Sequence, residues 1–189
     1  MAASKGISST LLRAAAISLP AAGIAYGAML ARRHPVGNPL VPEPLRTVSL
    51  QDYLGRWYEI ARYDQTFEKG CEGVTADYSL RADGKIDIVN TCRCANGKTR
   101  ASHGRAKLTP GSGGAKFRVS FFGPFYLGDY WVLDHSPDYS WSIVGEGSGR
   151  YLWILSRAPE LSDIDLRVLI NRAAALGYNT DLLVITKQP

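Results

Sequence analysis

Between residues 55 and 157 the sequence alternates between strand-like segments and turn signals, and this pattern restricts the possible folds more than any other feature. Residues 73–81 alternate apolar and polar side chains, which is the two-residue period of a strand with one buried face. Asp83-Gly84 and Asn96-Gly97 are two-residue hairpin signals. Eight such segments follow one another, at 55–63, 73–81, 85–93, 98–109, 115–122, 129–135, 139–146 and 151–157. The pattern predicts an all-β fold, an antiparallel sandwich or barrel.

The period changes after Pro159, where the spacing of apolar residues becomes helical. Ser162 followed by Asp165 is a capping box that begins a helix, and Gly177 is a stop signal that ends it. The apolar residues at helical spacing between them are Leu166, Leu169, Ile170, Ala173 and Leu176. Residues 182–186 are then interpreted as a short ninth strand. We therefore expect one C-terminal helix packed outside a closed sheet.

The N-terminus differs in composition from the rest of the chain. Residues 14–31 are uncharged and mostly apolar, so residues 1–31 are interpreted as a signal peptide or an N-terminal membrane anchor, with cleavage and retention both open. No cysteine lies there to carry a lipid. Residues 32–49 contain four prolines and read as an extended linker, which leaves 50–189 as the folded domain.

The net charge of +5 comes mostly from this N-terminal part and does not indicate nucleic-acid binding. Residues 1–39 carry four basic and no acidic side chains, whereas the remainder is nearly neutral. No basic cluster interleaved with aromatic residues occurs in the domain, which argues against a nucleic-acid partner. The three histidines are scattered and Cys-x-Cys is not a zinc motif, so no metal site and no cofactor are expected.

The three cysteines predict one disulfide in an oxidising compartment, with one thiol left over. Cys71 precedes the Asp83-Gly84 hairpin, and antiparallel pairing about that turn places it opposite residues 94–96, or nearer Cys92 if a bulge intervenes. Cys92 and Cys94 share a strand face, so either can be the partner. We favour Cys71–Cys92.

Three separated blocks of sequence carry a resemblance to a known family. They are Gly55-x-Trp57 in the first strand, "GDYWVLD" at 128–134 in the sixth, and Arg157 at the end of "YLWILSR". In this order the blocks resemble those of the lipocalin family, over residues 50–187. "GRWYEIARYDQTFEKG" and "VSFFGPFY" are similar to its bacterial and apolipoprotein D branch. The resemblance implies an eight-stranded antiparallel up-and-down β-barrel with a C-terminal α-helix, large enough inside for one small ligand.

Gly55, Trp57 and Arg157 are expected to have structural roles in such a barrel. Trp57 would close one end, and the Arg157 guanidinium would lie over the indole in a cation–π contact worth about 1–2 kcal/mol. Gly55 would give the backbone room to turn beneath the barrel.

The resemblance also implies which side chains line the interior. The inward face of the first strand would run through Trp57, Glu59 and Ala61. Beyond Glu59, the expected ligand-lining residues are Tyr78, Asn90, Val119, Tyr130 and Trp153, to which strand parity adds Phe121 and Val132. The alternative for each of them is a core-filling role, because small barrels can close completely. A buried carboxylate at Glu59 needs a partner, and we expect Arg157 first and a ligand head group second. Residues 64–70 would form a loop over the mouth of the barrel.

The function that follows is the binding and transport of a small hydrophobic ligand, a fatty acid or lysophospholipid, in cell-envelope lipid maintenance or stress response. The chain would be periplasmic or membrane-anchored and would not be an enzyme. The apolar stretch 121–126 leads into a loop, so its aromatic residues would contact a membrane surface or a homodimer partner if they are exposed at the barrel mouth; the alternative is a packed corner. The alternatives are a tetrapyrrole or pigment ligand, and a lipid-modifying enzyme that uses a free Cys94 with His103 or His135.

Overall fold

The computed structural model describes residues 35–94 and 96–188, and in this part the chain forms a barrel with one flanking helix. The strands are β1 (Gly55–Tyr63), β2 (Cys71–Leu80), β3 (Ile86–Cys94), β4 (Thr99–Leu108), β5 (Lys116–Ser120), β6 (Gly128–His135), β7 (Trp141–Gly145), β8 (Leu152–Ser156) and β9 (Leu183–Ile185). The helices are α1 (Leu50–Tyr53), α2 (Asp163–Ala175) and the 3-10 turn Thr180–Leu182. The predicted signal peptide or anchor at 1–31 falls outside the described residues.

The sheet closes on itself, because β1 pairs with strands from both ends of the meander. Strands β2 to β8 are joined in sequence order, each antiparallel to the next. One edge of β1 pairs with β8, where Tyr58 opposes Ser156, and the other pairs with β2, where Gly55 opposes Tyr78. The predicted eight-stranded antiparallel up-and-down barrel is confirmed. The short β9 extends the sheet along the last residues of β1.

A bulge in β1 changes which of its side chains point into the barrel. The pairing with β8 shifts register between Glu59 and Ala61, so one extra residue is inserted in β1. As a result Ala61 packs in the cluster beneath helix α2, while the Arg62 side chain turns inward to Glu59. The expectation that Ala61 continues the inward face is therefore wrong, since a one-residue insertion reverses the faces of a strand.

Helix α2 lies on the outside of the barrel, as the sequence predicts. The Ser162 hydroxyl accepts the Asp165 N–H at 3.1 Å and begins the helix. Leu169 and Ala173 are buried in a cluster that includes Ile60 on the outer face of β1. Gly177 follows the helix with φ of +91°, a left-handed conformation that glycine adopts without penalty. The helix thus covers an apolar strip of the barrel wall.

One end of the barrel, the floor, is closed by helix α1 and by Trp57. The indole of Trp57 is fully buried and donates to the Tyr53 carbonyl at 2.9 Å. The Arg157 guanidinium lies 3.8 Å from the indole centroid and also donates to the carbonyls of Arg56, Asp52 and Leu54. Arg157 therefore ties the first strand and α1 to the end of β8.

The proline-rich segment lies against the barrel from residue 37 onward. Gly37 N–H donates to Gly149 O at 2.9 Å, and Leu45 N–H donates to Leu133 O at 2.8 Å. Asn38 is buried, and its amide donates to Leu176 O at 2.9 Å. The segment has no helix or strand between 35 and 49, in keeping with its proline content. A domain boundary at residue 50 stays a prediction.

The disulfide joins Cys71 to Cys92, one of the two partners that the sequence left open. The strand ladder aligns Cys71 with Cys94, and a bulge between Glu72 and Thr75 accompanies the bond to Cys92, with a Cα–Cα distance of 5.4 Å. Cys94 is a free, half-buried thiol beside this pair. Among the residues that the structure describes, no helix is long and apolar enough to cross a membrane.

Candidate functional site

The candidate site is the interior of the barrel, and its floor half carries a chain of hydroxyl groups. The Tyr53 hydroxyl is hydrogen-bonded to the Tyr130 hydroxyl at 2.9 Å and to Ser142 Oγ at 3.1 Å. Tyr130 is in turn hydrogen-bonded to the Tyr78 hydroxyl at 3.0 Å. These four residues come from α1, β2, β6 and β7. These hydrogen bonds hold the aromatic rings of Tyr53, Tyr78 and Tyr130 together inside the barrel, next to Trp57.

Burial keeps these phenols neutral. Removal from water raises the pKa of Tyr53 to about 12, although its bonds to Ser142 and Tyr130 oppose the shift. Burial also raises the pKa of Tyr78 and of Tyr130 well above the ordinary value. The three phenols are therefore neutral donors and acceptors at physiological pH, and they can orient a polar atom of a ligand without adding charge.

The floor half is almost completely filled by side chains. The void that remains there has a volume of about 20 Å³. Its walls are formed by Leu50, Tyr53, Leu54, Tyr78, Ile86, Ile88, Ala106, Phe117, Val119 and Tyr130. A drug-sized ligand needs roughly 300–1,000 Å³. The floor half is therefore packed core.

The mouth half of the interior is more open. The mouth is the end opposite the floor, to which the loop residues 64–70, 96–98, 121–127 and 146–151 belong. Tyr78 and Tyr130 face inward and are half-buried. Asn90, Val119 and Trp153 are also half-buried although the strand register turns them inward. These inward-facing side chains are not fully buried, unlike Val132 in the core, so we infer that the interior is less tightly filled toward the mouth.

Asn90 carries an unused hydrogen-bonding atom in this space. It lies on β3 opposite Ala76 and Ser102. Its Oδ1 is buried and accepts no hydrogen bond from any residue between 35 and 94 or 96 and 188. Because a buried amide oxygen without a donor costs about 1–3 kcal/mol, Asn90 is suited to accept a hydrogen bond from a bound molecule.

The other expected lining residues divide between core and mouth. Val132 is fully buried and belongs to the packed interior core. Phe121 lies just beyond β5, is partly exposed, and packs its ring over Gly104, where an added Cβ would come within 2.7 Å of the ring. Phe121 is thus at the mouth, and Val132 is below the open space.

Glu59 is held by an arginine from its own strand. Arg62 Nη1 donates to Glu59 Oε1 at 2.7 Å, and the two side chains are 4% and 3% exposed. The Thr186 hydroxyl, next to β9, bonds to the same oxygen. Burial raises the pKa of Glu59, and the neighbouring Arg62 charge opposes this shift. The expectation that Arg157 is the partner of Glu59 is wrong, because the Arg157 guanidinium lies at the floor over Trp57.

A second carboxyl group shares the same arginine. Glu68, in the loop over the mouth, places Oε2 3.7 Å from Arg62 Nε and accepts the Trp153 indole N–H at 3.3 Å. Burial, and secondly the charge of Glu59, raise the pKa of Glu68 to about 8. Two carboxyl groups therefore compete for one guanidinium on this side of the mouth.

Sequence reasoning missed five residues of the site, namely Tyr53, Arg62, Phe67, Glu68 and Tyr151. The bulge hides Arg62, and the loop gives Phe67 and Glu68 no strand face from which to infer a direction. Tyr151 directly precedes β8 and has the same parity as Trp153, so its position beside Trp153 could have been predicted from the sequence. The two rings stack at 5.7 Å.

The histidines lie away from the free thiol and from the open interior. His135 is buried near the floor, where its ring nitrogens bond to the carbonyls of Thr47 and Ser136. His103 is exposed on β4, opposite Val89. Cys94 lies at the mouth end of β3. The structure thus brings neither histidine to Cys94.

This architecture defines a class of proteins, the small antiparallel barrels that are closed at one end and enclose a space that opens at the other. The family model for a lipocalin-like domain matches residues 48–188. The chain belongs to the lipocalin family.

Its relatives include bacterial and animal members of that family. The chain is 39% identical to "Outer membrane lipoprotein Blc" of Escherichia coli (strain K12) over 156 residues, 80% of this chain and 88% of that protein. It is 30% identical to "Apolipoprotein D" of Macaca fascicularis over 169 residues, 86% of this chain and 89% of that protein. The expected branch of the family is thereby confirmed.

A solved structure shows the same fold at low sequence identity. Per a 4, a major allergen from cockroaches, superposes with a TM-score of 0.63 at 18% identity, covering 81% of this chain and 96% of that one. At this identity the likeness concerns the barrel fold alone.

Proposed function

We propose that the chain binds a small amphiphile with one long apolar tail, a fatty acid or a lysophospholipid, and acts without catalysis. The observation that carries the proposal is the accessible surface that remains on inward-facing side chains toward the mouth. There Tyr78, Asn90, Val119 and Trp153 face inward and keep accessible surface although the sheet around them is closed. Aromatic and aliphatic walls bury a tail, while an amide and phenols orient polar atoms.

The packed floor would limit how deep the tail of the ligand enters the barrel. The tyrosine chain crosses the barrel above Trp57, and the void beneath it is only about 20 Å³. The tail would therefore end at the phenols of Tyr78 and Tyr130, and its polar head would remain at the mouth. A ligand with this orientation enters and leaves without opening the floor.

Occlusion of the open half tests this proposal. Val119→Trp would fill the interior, whereas Val89→Trp places the same side chain on the outer face of β3 and is the matched control. We expect tryptophan fluorescence titrations with oleate or oleoyl lysophospholipid to show at least a tenfold loss of affinity for Val119→Trp alone. Melting temperatures would verify that both variants fold.

Extraction of the natively expressed protein identifies the ligand class. Mass spectrometry of the extract should find a single-chain amphiphile. No bound lipid together with no saturable titration by the wild type would refute the proposal. A coloured extract would instead favour the pigment alternative, and turnover of an added lipid peroxide would favour an enzyme.

We further propose that the chain works in the cell envelope with its mouth against a membrane. The relative in Escherichia coli is named an outer membrane lipoprotein. In this chain the mouth loop 121–127 exposes Phe122, Phe125 and Leu127 by 86%, 68% and 81%. Lys107 lies 4.9 Å from the Tyr126 ring centroid beside this loop. Exposed aromatic and aliphatic residues next to a cation suit the interface of an anionic bilayer.

A vesicle co-sedimentation assay tests the membrane proposal. Phe122→Ser with Phe125→Ser should abolish binding to vesicles that contain phosphatidylglycerol, whereas Leu40→Ser, at a residue that is also 86% exposed, should not. Equal sedimentation of all variants would contradict the proposal. A dimer in ultracentrifugation that the double substitution dissociates would identify the loop as a homodimer interface instead.

A further inference from the structure

One side of the mouth combines three aromatic rings with a carboxyl group. Phe67 and Tyr151 stack with ring centroids 6.3 Å apart, and Tyr151 and Trp153 stack at 5.7 Å. Glu68, next to Phe67, accepts the Trp153 indole N–H through Oε2. Phe67 is exposed, and Tyr151 and Trp153 are half-buried. We call Phe67, Glu68, Tyr151 and Trp153 the mouth cluster.

The Glu68 carboxyl lacks a cation of its own. Arg62 is the basic group nearest to it, but Arg62 Nη1 is bonded to Glu59 at 2.7 Å while its Nε is 3.7 Å from Glu68. The Oε1 atom of Glu68 accepts no hydrogen bond from the residues that the structure describes. When both carboxyl groups are ionised, this half-buried site carries one uncompensated negative charge.

Other charged groups around Glu68 do not supply the missing cation. The titratable groups that act on it, or on which it acts, are Arg62, Glu59, Asp64 and the phenol of Tyr78. Arg100 approaches the loop from β4, where it donates to the Phe67 carbonyl at 2.7 Å and lies 3.2 Å from Cys71 Sγ. Lys69, the next residue, is exposed and forms no ion pair with Glu68 in the described part of the chain, so Arg62 is the one cation paired with Glu68 there.

A carboxylate beside aromatic rings is the environment that binds ammonium and quaternary ammonium groups. The ring faces attract the cation through their quadrupoles, and the carboxylate neutralises its charge. We propose that the mouth cluster binds the cationic end of the ligand's head group, so that the preferred ligand is a single-chain phospholipid carrying choline or ethanolamine. This inference rests on the proposed binding of an amphiphile in the interior.

The pH dependence of binding would follow from Glu68. The raised pKa of about 8 means that the free protein holds this carboxyl mostly protonated at neutral pH. A cationic head group favours the ionised form, so its affinity should rise as the pH rises through that value. A ligand without a cation should show no such rise.

The test compares two ligands with the same tail and phosphodiester, of which one head group carries a cation and the other, an uncharged glycerol, does not. Oleoyl lysophosphatidylcholine and oleoyl lysophosphatidylglycerol share the tail and the phosphodiester, and each is titrated into the full chain by calorimetry at pH 7 and pH 9. We expect the wild type to prefer the choline lipid by at least tenfold at pH 9. Glu68→Gln keeps an acceptor for Trp153 but should lose both the preference and its pH dependence.

Two further variants separate head-group recognition from folding. Phe67→Leu removes the exposed outer ring and keeps Glu68, so it should reduce the preference for choline without changing the affinity for the glycerol lipid. Glu72→Gln, at an exposed residue of β2, is the matched control for charge and should change neither. Equal affinities for both lipids in the wild type, or an unchanged preference in Glu68→Gln, would overturn the inference alone. Failure of the wild type to bind either lipid would overturn the proposed function as well.

Discussion

The Glu59–Arg62 pair inside the barrel gives a direct test of how the charges in the interior contribute to stability. Arg62→Met removes the guanidinium and its charge and keeps an unbranched apolar side chain. Glu59 would then be a carboxylate with 3% exposure and no cationic partner, beside Glu68. Removing one partner of a buried ion pair typically costs about 3–5 kcal/mol. We expect the free energy of unfolding to fall by that amount at pH 7.5.

The second substitution should recover part of this loss. Glu59→Gln in the Arg62→Met background removes the unpaired charge and keeps an oxygen for the Thr186 hydroxyl. We expect the double variant to regain about 2 kcal/mol relative to Arg62→Met, close to the penalty of a buried unsatisfied polar or charged group. The coupling energy from this double-mutant cycle measures the pair itself.

The pH dependence of the free energy of unfolding gives an independent check on this explanation. Burial already raises the pKa of Glu59 in the wild type, and loss of Arg62 removes an interaction that opposes the shift. A carboxyl whose pKa is higher in the folded than in the unfolded protein stabilises the fold where it is protonated and loses that contribution as the pH rises through the folded value. The destabilisation of Arg62→Met should therefore be smaller at pH 5 than at pH 7.5.

Urea unfolding followed by tryptophan fluorescence at both pH values measures these differences. A loss of less than about 1 kcal/mol for Arg62→Met at pH 7.5 would place the pair among weak surface ion pairs and refute the reasoning. A loss that does not diminish at pH 5 would show that an ionised Glu59 is not its cause.

Two further predictions concern the floor and one turn. Arg157→Ala should lower the free energy of unfolding by about 2 kcal/mol, because it removes the cation–π contact and three hydrogen bonds from a partly exposed guanidinium. Arg56→Ala, at an exposed ion pair, should cost less than about 1 kcal/mol, and an equal loss in both would contradict the role of Arg157. Gly149→Ala should destabilise the protein more than Gly84→Ala in thermal unfolding. Both have positive φ, but only at Gly149 would the new Cβ collide with the Asn38 carbonyl. Similar melting temperatures for these two variants would contradict that packing.

The features that could be predicted from sequence are those set by local patterns. Alternation and turn signals identify the strands, and the capping residue Ser162 identifies the start of helix α2. Trp57 and Arg157 are far apart in the chain, and no local pattern predicts that they are in contact. Their stacking is implied by the family resemblance alone. Patterns with a fixed period are therefore sufficient to predict the strands and the C-terminal helix.

The parts that sequence could not supply depend on breaks in those patterns. A bulge has no reliable sequence signal, so the inward turn of Arg62 and the outward turn of Ala61 were missed. Tyr53 belongs to a four-residue helix, too short for a periodic signal. Glu68 is in a loop, where direction is set by tertiary contacts alone. Of the charged groups in the site, Glu59 is thus predicted from the sequence, whereas Arg62 and Glu68 are located by the structure alone.

The pairing of β1 on both sides has a consequence for how the barrel folds. Neighbouring strands from β2 to β8 meet through short loops, and each can pair with the next as soon as both exist. The contact between Tyr58 and Ser156 instead joins positions about one hundred residues apart, and such distant closure is slow because the chain entropy is lost first. Until β8 arrives, β1 has an unpaired edge and the Trp57 indole lacks the Arg157 cover. We therefore expect ring closure at β1 and β8 to be the slow step of folding, and the partly formed sheet to be the species most exposed to aggregation.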